Sequence, residues 1–248
     1  MSGHNKWSKI KRKKGAEDAK RSKIFSKIIK EITVAVREGG SPDPDFNPRL
    51  RAAIANAKGV NMPKDNVERA IKKASESGGA QFLELTYEGY APGGIALFVE
   101  CTTDNQNRTV SNVRSYFNKH GGNLATSGSV DFLFDRKGIF VVPQGELDED
   151  EFTLELIDAG AEDVELEDGE FTITCSFEDF GNMQKFLEEK QVEVSSAGLQ
   201  RIPKNTVSVD LDTARKVLRL IDVLEDDDDV QAVYHNMELT DEIIAELA

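Results

Sequence analysis

Lys20, Lys23, Lys27 and Lys30 recur at spacings of three and four, which on an α-helix sets them along one ridge. Lys6, Lys9, Lys11, Arg12, Lys13 and Lys14 precede them, in a stretch with only Trp7 and Ile10 as apolar anchors. A ridge of ammonium groups can follow a phosphate backbone, and each phosphate it neutralises releases counterions. Trp7, inside the basic run, offers a face on which a base can stack. Arg21 on the same helix, and Arg49 and Arg51 at the start of the next, complete the candidate nucleic-acid-binding set. A lysine-rich face is more often merely solvated. Here the excess continues into an arm with almost no acidic residues, which favours a polyanion partner.

The net charge of -14 conceals this module. Residues 1–80 hold 19 Lys and Arg against 9 Asp and Glu, a balance of +10, and the remainder carries -24. Such asymmetry implies a polyanion at one end and repulsion of it elsewhere.

Other constellations offer little chemistry. His4, His120 and His235 lie on different segments, without metal-ligand spacing to a second ligand. Cys101 and Cys175 sit inside expected strands, where small core residues are the ordinary reading. The turn Gly89–Gly94 leads into a strand and not a helix, so it is a sharp turn and no phosphate cradle. The acidic run Glu225–Asp229 closes an expected helix, where carboxylates oppose the dipole. A solvated turn is favoured there over a cation site. The polar loop Asp104–Arg108 enters a helix; capping explains Asp104, and the cluster also suits a contact surface. No catalytic residues, metal ligands or cofactor site emerge, so the expectation is a non-enzyme.

These residues require positioning elements. A helix over 16–38 carries Ile24, Phe25, Ile28, Ile29, Ile32 and Val36 on the face away from the lysines. A second is capped by Asn47 with Pro48 in its first turn, a third is opened by Pro63, and 75–80 reads as a linker. Strands are expected at Leu83–Tyr87 and Ile95–Cys101, then a helix around Thr109–Lys119 and a strand through Val130, Phe132 and Phe134. Residues 137–204 then read strand, helix, two strands joined by Asp168-Gly169, helix, strand, the order of a ferredoxin-like unit. A further helix, with Asp212 as cap, and a strand at Val230–His235 cannot make a core alone. They should join the sheet begun at Ile95. The expected class is α+β: a basic helical domain over 1–80, a discontinuous α+β domain over 81–136 and 205–248, and an inserted ferredoxin-like domain over 137–204.

Gly3-His-Asn-Lys-Trp7, Asp18-Ala-Lys-Arg21 with Lys23-Ile-Phe25, and Asn47-Pro-Arg-Leu-Arg51 resemble the N-terminal signatures of the YebC-type family. Tyr87-Glu-Gly-Tyr90, Pro92-Gly-Gly94, Asp104-Asn-Gln-Asn-Arg-Thr109, Gly121-Gly-Asn123 and Val233-Tyr-His-Asn236 extend the resemblance over essentially the whole chain. Ser2 and Asn5 depart from the usual alanine and serine. The resemblance implies three domains, the third inserted in the second, and a bacterial cytoplasmic transcriptional regulator that binds DNA. Relatives that include a mitochondrial translational activator act on the ribosome and assist synthesis through proline-rich stretches.

Two partners therefore stand: DNA, or ribosomal RNA on the ribosome. No helix shows the Asn, Gln and Arg clustering that base-edge readout needs, so specificity on DNA would come from shape or dimerisation. Lysine-dominated contacts suit a structured RNA equally. A small enzyme is the third class, and no acid, base and nucleophile set supports it. No apolar stretch approaches a membrane span. Two distant cysteines fit a reducing compartment, and the expected location is cytoplasmic. A transit peptide is the weaker reading of the basic N-terminus, since Glu17 and Asp18 interrupt it. Oligomeric state is not legible.

Overall fold

The computed structural model describes residues 18–76 and 81–247, excluding the side chains of residues 18–20, 241, 246 and 247. Expectations for the segment before residue 18 and for most of the linker lie outside these residues. The described chain forms two compact units, 18–27 with 81–135 and 202–247, and 28–76 with 136–201.

The first unit is built on an antiparallel sheet of order β3-β1-β2-β8. Its strands are β1 (Leu83–Tyr90), β2 (Ala96–Thr103), β3 (Asn123–Leu124) and β8 (Val230–His235). β1 and β2 pair from Leu83↔Thr103 to Tyr90↔Ala96. The intervening turn is tight, with Gly93 and Gly94 at φ of 76° and 75°, a backbone that suits residues without Cβ. β2 is buried on both faces. Leu97, Val99 and Cys101 point into the main core with Val113, Phe117, Val217, Ile221 and Leu224, while Ala96 and Phe98 meet Val130, Phe134 and Tyr234 behind the sheet. The helices over the main core are α4 (Gln106–Lys119) and α7 (Leu211–Asp226), and α8 (Asp241–Leu247) follows β8.

Three local expectations are corrected here. Val130, Phe132 and Phe134 do not form a third strand of this sheet. Asp131–Leu133 is a 3-10 turn, Phe132 is 64% exposed, and Phe134 opens a strand of the other sheet. The cause is Glu88, a buried carboxylate that accepts the backbone N–H groups of Gly128 (2.6 Å), Val130 (2.6 Å) and Asp131 (3.0 Å). Those donors are thereby taken from any strand ladder. The cap of α4 is Asn105, whose Oδ1 accepts from Arg108 N at 3.1 Å, and not Asp104. The cap of α7 is Asp210, accepting from Thr213 N at 2.8 Å, and not Asp212.

The second unit carries a sheet of order β5-β6-β4-β7. Its strands are β4 (Phe134–Pro143), β5 (Ala161–Glu167), β6 (Glu170–Ser176) and β7 (Ser196–Pro203), with α5 (Glu149–Asp158) and α6 (Phe180–Glu189) between them. The first and third strands of the motif lie centrally, as a ferredoxin-like order requires. Asp168 and Gly169, at φ of 55° and 77°, make the hairpin turn the sequence predicts. Phe140, Val142, Phe152, Leu156, Phe171, Ile173, Met183 and Leu187 fill the core. Helices α2 (Pro48–Gly59) and α3 (Lys64–Ser75) belong to this unit. Ala52 enters the same core, and Asn56 Oδ1 accepts from Ala197 N at 2.9 Å. α1 (Asp18–Glu38) contributes residues to both units. Ile28, Ile32 and Val36 of the expected stripe are buried, whereas Ile24 and Ile29 are more than a third exposed.

Candidate nucleic-acid interface

Lys6, Trp7, Lys9, Lys11, Arg12, Lys13 and Lys14 lie outside the described residues. Lys20 falls within α1, its side chain likewise outside them. Arg21 is exposed on the first turns of α1. The lysines that follow are engaged with the chain itself. Lys23 Nζ donates to Asp226 Oδ1 at 2.6 Å and to Asp226 O at 3.1 Å. Lys27 Nζ donates to Glu225 O at 2.7 Å. Both ammonium groups thus sit on the last carbonyls of α7. A helix C-terminus bears partial negative charge and four unsatisfied carbonyls, so cations are stabilised there. Lys30 is half-buried.

The two arginines of the second helix are occupied as well. Arg49 pairs with Glu38 at 2.7 Å. Arg51 reaches the carbonyls of Pro44 (2.7 Å) and Asp45 (3.0 Å) and the carboxylate of Glu188 (2.8 Å). These contacts tie the loop before α2 and the end of α6 to α2. Among the described residues of the candidate set, Arg21 shows no such partner, whereas Lys23, Lys27, Arg49 and Arg51 each hold another element in place and Lys30 is half-buried.

The acidic run is not the solvated turn the sequence suggested. Asp229 is 2% exposed. Its carboxylate accepts from Arg108 Nε at 2.9 Å, from Arg108 Nη2 at 2.7 Å and from Thr109 Oγ1 at 3.0 Å, and its carbonyl accepts from Thr102 N at 2.8 Å. Asp227 Oδ2 accepts from Asn112 Nδ2 (3.0 Å) and Tyr116 Oη (2.9 Å). Arg108 also pairs with Asp104 at 2.8 Å. The hydrogen bonds that Arg108 donates to Asp229 and then Asp104 hold its guanidinium above its ordinary pKa. Burial, then the bond to Asp227, pushes the Tyr116 hydroxyl up to about 12. The run that opposes the α7 dipole thus meets cations from two sides, Lys23 and Lys27 on one and Arg108 on the other. In the sequence Asp104–Arg108 and Glu225–Asp229 stand as separate clusters. No local signal joins residues 121 positions apart.

Among the described residues, the two thiols and one buried imidazole are held away from their reactive forms near neutrality. Burial, followed by nearby carboxylates, raises the Cys101 thiol to about 12, and burial raises Cys175 to about 11, so both are protonated near neutrality. His235 is buried, accepts from Met237 N through Nδ1 at 3.2 Å, and is pushed down to about 4 by desolvation. Among the described residues no cluster of three or more His, Cys, Asp or Glu is arranged to hold a metal ion. None of their helices is long and apolar enough to cross a membrane.

Comparisons with known proteins cover nearly all of the chain. Residues 5–77 match the family model described as the TACO1/YebC protein N-terminal domain, and residues 82–237 match the one described as the TACO1/YebC second and third domain. A protein of Amoebophilus asiaticus named "probable transcriptional regulatory protein" is 55% identical over 96% of this chain and 98% of its own. A protein of the same name from Rubrobacter xylanophilus is 50% identical over the full length of both. The crystal structure of a conserved hypothetical protein from Aquifex aeolicus superposes with a TM-score of 0.80 at 50% identity, covering 89% of this chain and 91% of that one. On this evidence the chain belongs to the TACO1/YebC family.

Proposed function

We propose that this protein is a non-enzymatic regulator of gene expression that grips DNA through the basic module of residues 1–80. One observation carries the reading: a +10 segment leads a chain whose remainder is -24. A cation cluster of that density is built for a polyanion. Lys23 and Lys27 would have to leave the end of α7 to reach a phosphate. The weight of the reading therefore falls on Lys6, Lys9, Lys11, Arg12, Lys13, Lys14 and Arg21 rather than on the whole ridge. The names of the relatives support the regulatory role.

A second reading has its own support. The basic set is lysine-dominated and lacks the Asn and Gln readers of base edges, which suits structured ribosomal RNA. On that reading the protein is a ribosome-bound translation factor that helps proline-rich stretches. Sedimentation from lysate separates the two. Release by DNase supports the DNA reading. Co-sedimentation with ribosomes after DNase treatment overturns it in favour of the second, and a protein that remains with neither overturns both.

A further inference from the structure

The acidic remainder of the chain contains one gathering of cations that the basic N-terminal module does not account for. In residues 81–135 and 202–248 there are seven Lys and Arg against eighteen Asp and Glu. Three of the seven have carboxylate partners: Arg108 with Asp229 and Asp104, Lys204 with Asp135, and Arg215 with Asp212. Of the other four, Lys119, Lys216 and Arg219 meet at one depression of about 500 Å³, whose remaining lining is Pro92, His120 and Gly121. Among the described residues, no acidic side chain lines it. Lys216 acts at a distance on the Asp210 carboxylate, which does not line the depression.

The depression is held by fixed parts. Lys216 and Arg219 are three residues apart on α7 and so share a face. Lys119 and His120 end α4, where His120 N donates back to Tyr116 O and Phe117 O at 3.2 Å. Gly122 brings that end against both the sheet and α7: a Cβ there would lie 2.7 Å from Tyr90 O and 3.2 Å from Leu220. Gly121, at φ of 74°, stands over Pro92. Crowding three cations on rigid backbone, in a body where acids outnumber bases, is unfavourable unless an anion sits among them.

We infer that this depression is a phosphate-binding pocket, a second anchor for a nucleic-acid strand on the acidic part of the chain. The inference rests on the nucleic-acid reading above and adds a site to it. Lysine offers point charges and arginine a fork for phosphate oxygens. The volume lies within the usual range for ligand sites and exceeds what one phosphate fills. The lining lacks the carboxylate and amide side chains that read cytosine and adenine edges, and its cations are assigned to the sugar-phosphate backbone.

The test uses the full chain and its K119A/K216A/R219A variant. Lys119, Lys216 and Arg219 are exposed, so the variant should keep its fold, checked by its circular dichroism and melting temperature. A single-stranded oligonucleotide is titrated across a salt series, and the His120 imidazole resonance is followed with that strand and with inorganic pyrophosphate. The variant should lose roughly tenfold to a hundredfold in affinity at 0.1 M salt, and about 2 units of log–log slope, at ~0.7 per lost contact. In the parent, His120 should shift with either probe. If the parent binds the strand while the variant keeps its affinity and slope and His120 stays still, the pocket is overturned and the nucleic-acid reading stands. If the parent binds no strand, the strand anchor is overturned, while the reading of the basic module is judged separately by its binding to duplex DNA. A His120 shift with pyrophosphate but not with the strand keeps the phosphate chemistry and overturns the strand as its source.

Discussion

Arg108→Ala should cost more stability than removal of both partners of its ion pair. Asp229 keeps a carboxylate in the interior, its side chain 3% exposed, whereas that of Arg108 is 45% exposed. Deleting Arg108 leaves a buried charge without its cation, a change that costs about 3–5 kcal/mol when both partners are buried. Because Arg108 is half in water, its Coulomb contribution is screened, and about 2–3 kcal/mol is the fitting figure. Asp229→Ala strands nothing comparable. Water solvates the guanidinium, Asp104 stays as a partner, and the Thr109 hydroxyl retains its bond to Asn105 O at 3.0 Å, so about 1–2 kcal/mol is expected. Once Asp229 is gone, Arg108 holds little, and R108A/D229A should resemble D229A. Native-state hydrogen exchange is the suitable assay, read at the Thr102 amide, which bonds Asp229 O, and at the amides of β2 and β8. The reasoning is refuted if R108A costs less than about 1 kcal/mol, or if the double variant costs the sum of the singles.

Three further outcomes follow from other parts of the fold. His235 is held neutral, its pKa about 4 when folded against an ordinary 6.5. The unfolded chain therefore takes up a proton first as pH falls: stability is full above about 6.5 and declines toward 4, by on the order of 3 kcal/mol. Urea denaturation at pH 7.5 and 4.5 should show that decline reduced in His235→Asn, and an identical pH dependence in the two proteins would count against it. Gly59→Ala should destabilise the second unit by more than about 2 kcal/mol, because its Cβ would lie 1.8 Å from the backbone oxygen of Ser195; an unchanged denaturation midpoint contradicts that approach. Asn47 caps α2 through Leu50 N (3.0 Å) and donates to Ala35 O (2.8 Å) and Ser41 O (2.9 Å) while buried. Asn47→Ala should cost about 2–4 kcal/mol, and Asn47→Asp should recover only part, since it keeps the cap but turns an acceptor toward two carbonyls. Full recovery by Asp would show that the cap alone matters.

Local signals were readable from the sequence where the cause was local. The Asp168-Gly169 hairpin, the Asn47 cap and the end of α1 each depend on residues within a few positions. The strand–helix order of residues 137–204 was legible for the same reason. Where a distant group decides, the pattern misled. Alternation at Val130, Phe132 and Phe134 looked like a strand, but Glu88, some forty positions earlier, takes the N–H groups that a strand needs. The lysine ridge was visible as a period of three to four, whereas its engagement with Glu225 and Asp226 was not, being 198 and 203 positions away. Charge pattern alone does not tell a phosphate ridge from a clamp on another helix. The pocket of Lys119, His120, Lys216 and Arg219 escaped for a related reason, since its two halves come from helices far apart in the chain.

The salt dependence of binding to duplex DNA tests the central claim most directly. Full-length protein is compared with a variant in which Lys6, Lys9, Lys11, Arg12, Lys13 and Lys14 are alanine, and with K23A/K27A. If the basic arm grips the phosphate backbone, the first variant should lose several units of log–log slope, ~0.9 for each contact removed. K23A/K27A should stay close to the parent, because those ammonium groups hold the end of α7. An arm variant with the affinity and slope of the parent would contradict the account.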